Sequence, residues 1–170
     1  MTTAISRNQR VIHVPAGEGP ALWVPEDTVS PDATSSVKAT YIVKATAEIT
    51  GGSLSFVEAS VPPGSGPPPH VHADSDEAYY ILSGRFEVLD GDRTLVAKPG
   101  DFVYIPRNTL HRFKNVGVDA ARLLFLFTPA GFERLFFEVG QPARPGEPAP
   151  LVGPDDVRKA AEVGPRFFGA

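Results

Sequence analysis

The sequence predicts an all-β fold, a sandwich or barrel of short strands in a single domain. Eighteen prolines and sixteen glycines are scattered between short apolar runs, and this pattern favours short strands joined by turns over long helices. The chain has 170 residues, of which 42% are hydrophobic. It is therefore long enough and apolar enough to bury one sizeable core.

Eight runs in the middle of the chain are candidate strands. The tight turns between them are expected where glycine and small polar residues meet, because these residues fit turn geometry. Strands at this spacing are typical of a sandwich or barrel. The predicted strands are residues 40–49, 52–61, 77–82, 84–89, 93–98, 102–105, 111–115 and 121–127.

One strand is apolar on both faces. Positions 123–127 are all apolar, without the polar alternation of a half-exposed strand, so both faces of residues 122–128 should be covered. One face can line the barrel, and the other requires a helix or a second subunit. We therefore expect a homodimer.

The segment before the barrel and the barrel itself are predicted as residues 1–37 and 38–128. Within the first segment only residues 11–14 and 22–24 carry weak strand signals. The segment is expected to form an N-terminal arm that covers the barrel or a neighbouring subunit.

The last segment, residues 129–170, changes to a helical pattern. Phe132, Leu135 and Phe136 recur at helical spacing, which predicts an amphipathic helix that packs on the barrel rather than a binding groove. Residues 141–154 are too rich in proline and glycine to form an element and are expected to be a stiff linker. A last short helix follows over residues 155–163.

Composition argues against several classes of function. The net charge is −4, and no cluster of lysine and arginine offers a surface for nucleic acid or an anionic membrane. The chain has no cysteine, so thiolate chemistry and iron–sulfur sites are ruled out. Residues 1–20 lack the apolar core of a signal peptide, and no apolar run is long enough to span a bilayer. A cytoplasmic location is expected.

Three histidines and one glutamate form a candidate metal site. His70 and His72 stand two residues apart, so on an extended strand they project to the same side. Glu77 begins the next strand, and His111 follows a second turn. Imidazole and carboxylate together suit a divalent transition metal ion, whereas an all-oxygen set suits magnesium or calcium. One ion per chain is expected, of iron, manganese, nickel, cobalt, copper or zinc.

The walls of the site are expected to be apolar. Tyr79 and Ile81 follow Glu77 at intervals of two and therefore share its face, and Phe113 shares the face of His111 in the same way. These three residues are the candidate substrate pocket, although inward-facing residues of these types are more often simple core.

The stretch that contains His70, His72 and Glu77 and the stretch that contains His111 resemble the two signature motifs of the cupins, which are small β-barrel proteins. In the second motif Asn108 replaces an inner glycine, and asparagine also enters the left-handed backbone region that a tight turn requires. The first motif is matched by Gly64, His70, His72, Glu77 and Gly84, and the second by Gly100, Pro106, His111 and Asn115.

The resemblance implies a double-stranded β-helix, or jelly-roll barrel, with His70, His72, Glu77 and His111 as the ligands of the ion. Residues 128–138 and the Pro-rich stretch after them further resemble single-domain bacterial cupins similar to quercetin (flavonol) 2,3-dioxygenase. This likeness implies a dioxygenase that uses O₂ on a small apolar or aromatic enol or phenol. Glu77 would also be the catalytic base that accepts the substrate proton.

Two other functions fit the same residues. In the first, the ion acts as a Lewis acid in redox-neutral isomerase, lyase or cyclase chemistry. In the second, the barrel binds a small molecule without catalysis, and the metal only holds the strands together. Cupins share one site across many reactions, so the fold alone does not decide among the three functions.

Overall fold

A computed structural model describes residues 11–169 of the chain. Residues 1–10 of the predicted arm lie outside the described residues. The described residues form ten strands: β1 (Ala21–Val24), β2 (Ala39–Ala45), β3 (Ser55–Val61), β4 (Asp76–Ser83), β5 (Phe86–Asp90), β6 (Arg93–Ala97), β7 (Phe102–Ile105), β8 (His111–Asn115), β9 (Ala121–Thr128) and β10 (Gln141–Pro142). The α-helices are α1 (Ala47–Thr50), α2 (Arg134–Val139) and α3 (Pro154–Val163).

The strands form two antiparallel sheets, which confirms the all-β prediction. The larger sheet has the order β10-β1-β2-β3-β9-β4-β7, and the smaller has the order β6-β5-β8. Strands that are neighbours in space are distant in sequence, as β3 and β9 or β4 and β9 are. This crossed order is that of a jelly-roll barrel.

Alternation along the strands places the core between the sheets. In β4, Glu77, Tyr79 and Ile81 are buried, whereas Tyr80 and Leu82 are exposed, as the period of two predicts. In β9 the inner positions are buried as well. Its outer positions remain half-exposed, so no element of the described chain fully covers the second apolar face.

The turn after β4 depends on a glycine that closes the first motif. Gly84 has a φ of +82°, and a Cβ atom there would lie 2.3 Å from Cβ of Ala121. Only glycine fits both the left-handed backbone and this close approach of β9. The motif residue therefore has a packing role at the turn where the chain passes from β4 of the larger sheet to β5 of the smaller one.

One predicted strand is too long. Residues 40–49 were expected to be extended, but the strand ends at Ala45 after a β-bulge, and the chain turns into the single helical turn α1. Glu133 accepts a hydrogen bond from the backbone N–H of Ala47 at 2.6 Å, which satisfies a donor that the strand would have paired. Gly51 then ends the turn in the left-handed conformation.

Parts of both terminal segments are built into the larger sheet. Residues 22–24 lie in β1, which pairs with β2, whereas residues 11–14 form no strand. The predicted linker contributes the two-residue strand β10, which pairs with β1. The expectation that residues 141–154 form no element was therefore wrong at their first two residues.

The C-terminal helices pack on the barrel. Leu135, Phe136 and Val139 of α2 are buried, as their spacing predicts. The nearly buried Lys38 binds Asp156 of α3 at 2.8 Å. In the described part of the chain, no helix combines the length and the apolar character that crossing a membrane requires.

Candidate metal centre

The backbone brings the two motifs into direct contact. His70 and His111 form an isolated antiparallel bridge, in which each N–H donates to the other residue's carbonyl at 2.9 and 3.0 Å. Prolines at residues 67–69 restrict the backbone before His70, because proline fixes φ and limits the residue before it. The bridge therefore places the imidazoles of His70 and His111 side by side, with ring centroids 4.4 Å apart.

The turn before β8 is shaped by Asn108. Its φ is +65°, and no other non-glycine residue of the described chain has a positive φ. The sequence predicts this conformation from the replacement of the family's inner glycine. The N–H of Asn108 donates to the carbonyl of His72 at 2.8 Å, so the turn also anchors the second ligand candidate.

An ion pair next to Glu77 joins the same turn to β4. The carboxylate of Asp76 accepts hydrogen bonds from the backbone N–H, Nε and Nη2 of Arg107 at 2.9, 3.0 and 3.1 Å. These hydrogen bonds hold the pKa of Asp76 well below its usual range. Asp76 thus helps to position the neighbouring Glu77 beside His111.

The four candidate ligands converge in one place. One ligand atom from each of His70, His72, Glu77 and His111 lies within 4.8 Å of the others. His72, Glu77 and His111 are buried, and His70 is half-buried. Oε2 of Glu77 is 2.8 Å from Nε2 of His111 and 3.9 Å from Nε2 of His72. The predicted cluster is present, and it could hold a metal ion.

The ring nitrogens suit this role. Nδ1 of His70 and of His111 lie 2.9 and 2.8 Å from the carbonyls of Pro68 and Thr109. Because a carbonyl oxygen only accepts, Nδ1 carries the hydrogen, and Nε2 is the nitrogen that faces the cluster. Both ring nitrogens of His72 are buried without a hydrogen-bond partner in the described chain. Such an orphaned group costs about 1–3 kcal/mol, and coordination of an ion would satisfy it.

The environment favours neutral imidazole at two positions. Burial, with help from the neighbouring rings, lowers the pKa of His70 to about 4 and that of His72 to about 2. Burial would also lower the pKa of His111, but its hydrogen bond to Glu77 and the charge of that carboxylate raise it overall. Burial raises the pKa of Glu77 despite these contacts. His70 and His72 are therefore already in the form that binds metal.

The cluster opens onto a large cavity between the sheets and the C-terminal helices. Its volume is about 690 Å³, which lies within the range of small-molecule sites. Apolar and aromatic side chains make up most of its wall, and no lysine or arginine of the described chain lines it. The polar side chains in the wall include Glu26, Tyr41, His70, His72, Glu77 and Tyr79.

The three predicted pocket residues occupy different places. Tyr79 and Phe113 line the cavity, and the Tyr79 hydroxyl donates to Oε2 of Glu77 at 3.2 Å. Ile81 is buried in the hydrophobic core and is not among the residues that line the cavity.

Residues of the C-terminal segment complete the wall. Phe132 stacks on His72 with ring centroids 3.9 Å apart, and Leu135 and Phe136 line the cavity beside it. These three were expected to serve helix packing rather than a binding groove. Leu135 and Phe136 are buried in the core and Phe132 packs against it, and all three also line the cavity. Phe168 packs its ring 5.1 Å from that of His70. The apolar Phe167-Phe168 pair was the only sequence signal for this contact.

A second polar pair also lies in the wall. Glu26 follows β1, is 6% exposed, and accepts a hydrogen bond from the hydroxyl of Tyr41 on β2. Burial raises the pKa of Glu26 to about 8, although the Tyr41 hydrogen bond opposes this shift. Glu26 is therefore largely uncharged at neutral pH. Nothing in the sequence around Glu26 marks it as a site residue, since no histidine stands at ligand spacing from it.

Comparisons with known proteins agree with this geometry. Residues 57–127 match the model of a family described as Cupin domain. An uncharacterized protein of Methanocaldococcus jannaschii, MJ1618, is 46% identical over 68 residues, which are 39% of this chain and 54% of that protein. Polyketide synthase CurC of Streptomyces cyaneus is 35% identical over 91 residues, covering 53% of this chain and 57% of that protein.

A more distant likeness involves a dioxygenase. Quercetin 2,3-dioxygenase of Bacillus subtilis is 27% identical over 93 residues, or 55% of this chain and 27% of that protein. The chain thus spans between about a quarter and three fifths of the length of these curated relatives. Among solved structures, a predicted oxalate decarboxylase of Thermotoga maritima superposes with a TM-score of 0.61 at 20% identity, over 69% of this chain and 99% of that one. That likeness concerns the fold alone.

Removal of one buried imidazole should weaken metal binding strongly. We expect the purified protein to bind close to one transition metal ion per chain, and His72→Ala to lower the affinity by at least about 100-fold, because a ligand is lost. Elemental analysis after equilibrium dialysis measures both. His13→Ala is the matched control, since His13 is exposed and far from the cluster in sequence. Equal metal content in wild type and His72→Ala would refute the site.

Glu26 should make stability depend on pH. The folded protein retains the Glu26 proton up to about pH 8, whereas the unfolded chain releases it near 4.5. The stabilising contribution is therefore complete below pH 4.5 and is lost as the pH rises through 8. Relative to Glu26→Gln, the wild-type free energy of unfolding should fall by roughly 1.4 kcal/mol per pH unit in this window.

Denaturant unfolding of the two proteins with a chelator present, from about pH 5 to about pH 9, measures this difference. Glu162→Gln is the control, because the Glu162 side chain is 63% exposed. Parallel stability curves for wild type and Glu26→Gln would mean that Glu26 titrates normally.

Proposed function

Because the chain carries a cupin domain over residues 57–127, we propose that it is a metal-dependent dioxygenase that acts on a small, largely apolar enol or phenol. The observation that carries the proposal is the buried cluster of three imidazoles and one carboxylate, which opens onto an aromatic cavity of about 690 Å³. The distant quercetin 2,3-dioxygenase relative supports the reaction class.

His70, His72, Glu77 and His111 would hold one divalent transition metal ion. Three nitrogen donors and one carboxylate suit iron, manganese, nickel, cobalt, copper or zinc. When bound, such an ion can orient a substrate oxygen and, if redox-active, support chemistry with O₂. The hydrogen bonds of His70 and His111 to backbone carbonyls keep both rings in the required tautomer.

Glu77 is suited to accept the hydroxyl proton of the substrate. Its carboxylate lines the cavity and lies 2.8 Å from Nε2 of His111, so it would stand beside a substrate hydroxyl group bound at the same cluster. Removal of the proton turns an enol or phenol into an electron-rich anion, the form that reacts with oxygen. Tyr79 donates a hydrogen bond to the same carboxylate and so helps to fix its orientation.

The cavity selects against anionic substrates. No lysine or arginine of the described chain lines it, so a phosphorylated sugar would lose the cationic partners that it needs. The rings of Phe132 and Phe127 both stack with the ring of His72, at centroid distances of 3.9 and 5.6 Å. A flat aromatic substrate would find stacking partners here and would be shielded from water by Phe168.

The redox-neutral alternative is favoured by one observation. The polyketide synthase relative is 35% identical over its matched region, against 27% for the dioxygenase. With the same residues, Glu77 would move a proton on a carbonyl substrate, and the ion would polarise the carbonyl. Turnover that continues without oxygen would distinguish this reaction. A binding protein would show neither kind of turnover.

Oxygen consumption tests the proposal. The protein is reconstituted separately with iron, manganese, nickel or cobalt and assayed with flavonols and dihydroxylated aromatic ketones. We expect metal-dependent oxygen uptake with at least one pair, and a rate per bound metal that falls by about 10²–10⁴-fold in Glu77→Gln because the base is lost. Glu87→Gln, on the outside of the smaller sheet, should keep the wild-type rate. Product formation under nitrogen at the aerobic rate would contradict the dioxygenase.

We also propose that a second copy of the chain covers the outer face of the larger sheet. Tyr80 pairs with Phe102 and with Leu124 across β4, β7 and β9, and Phe102 is 66% exposed. Tyr104 extends the same apolar surface. A contiguous patch of this kind on a sheet face is typical of a contact between subunits, and a twofold axis would bury it against itself.

Sedimentation at micromolar concentration tests the homodimer. We expect a dimer for the wild type and a monomer for Phe102→Glu, because a charge would be buried without a partner at the interface. Val118→Glu is the control, since Val118 is 90% exposed in a loop after β8. A monomeric wild type, or a dimer that survives Phe102→Glu, would contradict this arrangement.

A further inference from the structure

The cavity has a second polar group besides the metal cluster. Glu26 and Tyr41 line its wall together with His70, His72 and Glu77. A row of aromatic rings leads from one group to the other: His72 contacts Phe127, Phe127 contacts Phe125, and Phe125 contacts Tyr41 at 5.1 Å. A ligand that lies along these rings could reach both polar groups.

Glu26 is held in place but incompletely satisfied. Its Oε1 accepts the Tyr41 hydroxyl, and the Tyr41 ring is fixed by edge contacts with Phe125 and Phe136 at 5.1 and 4.9 Å. Oε2 is buried and has no hydrogen-bond partner in the described part of the chain. Buried carboxyl oxygens are rarely left unpaired, because an unmade hydrogen bond costs about 1–3 kcal/mol.

The protonation state of Glu26 decides what kind of partner would fit. Burial keeps this side chain neutral at pH 7, and a neutral carboxyl group has one O–H to donate. Oε1 already accepts a hydrogen bond, so Oε2 is the oxygen left to donate. The partner required is a hydrogen-bond acceptor without charge, since no lysine or arginine of the described chain lines the cavity to balance an anion.

We propose that Glu26 recognises the substrate by donating a hydrogen bond to a neutral carbonyl oxygen of an aromatic ligand that also reaches the metal cluster. Tyr41 is the positioning residue that orients the Glu26 carboxyl group. The assignment rests on the proposed function in that both use the same cavity, and it narrows the substrate class to aromatic ketones or enones. Glu77 handles the hydroxyl group of such a molecule, and Glu26 selects its carbonyl.

The test measures binding and needs no turnover. Flavanone and flavan differ only in the ketone oxygen, and neither has a hydroxyl group for Glu77 to deprotonate. Isothermal titration of the full-length, metal-loaded protein gives the affinity of each probe. We expect the wild type to bind flavanone at least about tenfold more tightly than flavan, because the ketone alone satisfies the buried donor.

Two substitutions separate hydrogen bonding from packing. Glu26→Gln keeps an acceptor for Tyr41 and an N–H₂ donor for the ligand, so the preference for flavanone should persist. Glu26→Met keeps the approximate volume without a strong donor, and the two affinities should come within about twofold. Unchanged metal content and far-ultraviolet circular dichroism in both variants show that the fold and the cluster are intact.

The outcomes also separate this assignment from the dioxygenase. A wild type that does not prefer flavanone, or a preference that survives in Glu26→Met, overturns the role of Glu26. A preference that disappears only in Glu26→Met supports it, even if the same preparation consumes no oxygen with any hydroxylated substrate. In that case the reaction class is wrong, and the recognition of a carbonyl stands.

Discussion

The structure depends on the gathering of three imidazoles and a carboxylate inside an apolar barrel. Burial of such a cluster without a bound ion costs free energy, because polar atoms lose their hydrogen bonds to water. Both ring nitrogens of His72 are an example, since they are buried and have no hydrogen-bond partner in the described chain. The surrounding backbone is organised to hold the group all the same. The bridge between His70 and His111 joins the two motifs, and the Arg107 ion pair ties β4 to the turn before β8. A bound ion would offset this cost and would also cross-link the segments that carry its ligands.

The barrel supplies rigidity, whereas the segments outside the two motifs shape the cavity. The larger sheet provides Glu77 and Tyr79 from one strand, and β8 provides His111. The helix α2 and the chain after α3 then close the open end with aromatic rings, and the backbone N–H of Gly169 donates to the carbonyl of Val71, between two ligand candidates. Changes in these outer segments could alter the ligand while leaving the metal cluster intact, which explains how one fold serves many reactions.

The sequence predicted the cluster well because its determinants are local. Two histidines at a spacing of two, a glutamate at the start of a strand and a tight turn with Asn108 all follow from backbone geometry over a few residues. Glu26, Phe132 and Phe168 were not predicted as site residues, because their roles depend on how distant segments cross the barrel. Helical spacing revealed the buried face of α2, but it could not reveal that part of this face borders a cavity. The helical turn α1 was missed for a related reason, since the side chain that stabilises it, Glu133, lies far along the chain.

The proposed function requires that His70, His72, Glu77 and His111 bind one metal ion. X-ray diffraction from metal-loaded crystals, measured on both sides of the absorption edge of the metal, shows whether they do. We expect a single strong anomalous peak among the four side chains, with three imidazole nitrogens and a carboxylate oxygen at roughly 2.0–2.2 Å, as in zinc sites with these ligands. Loaded crystals without an anomalous peak at this cluster, or with the ion bound elsewhere, would show that these residues are not the metal site.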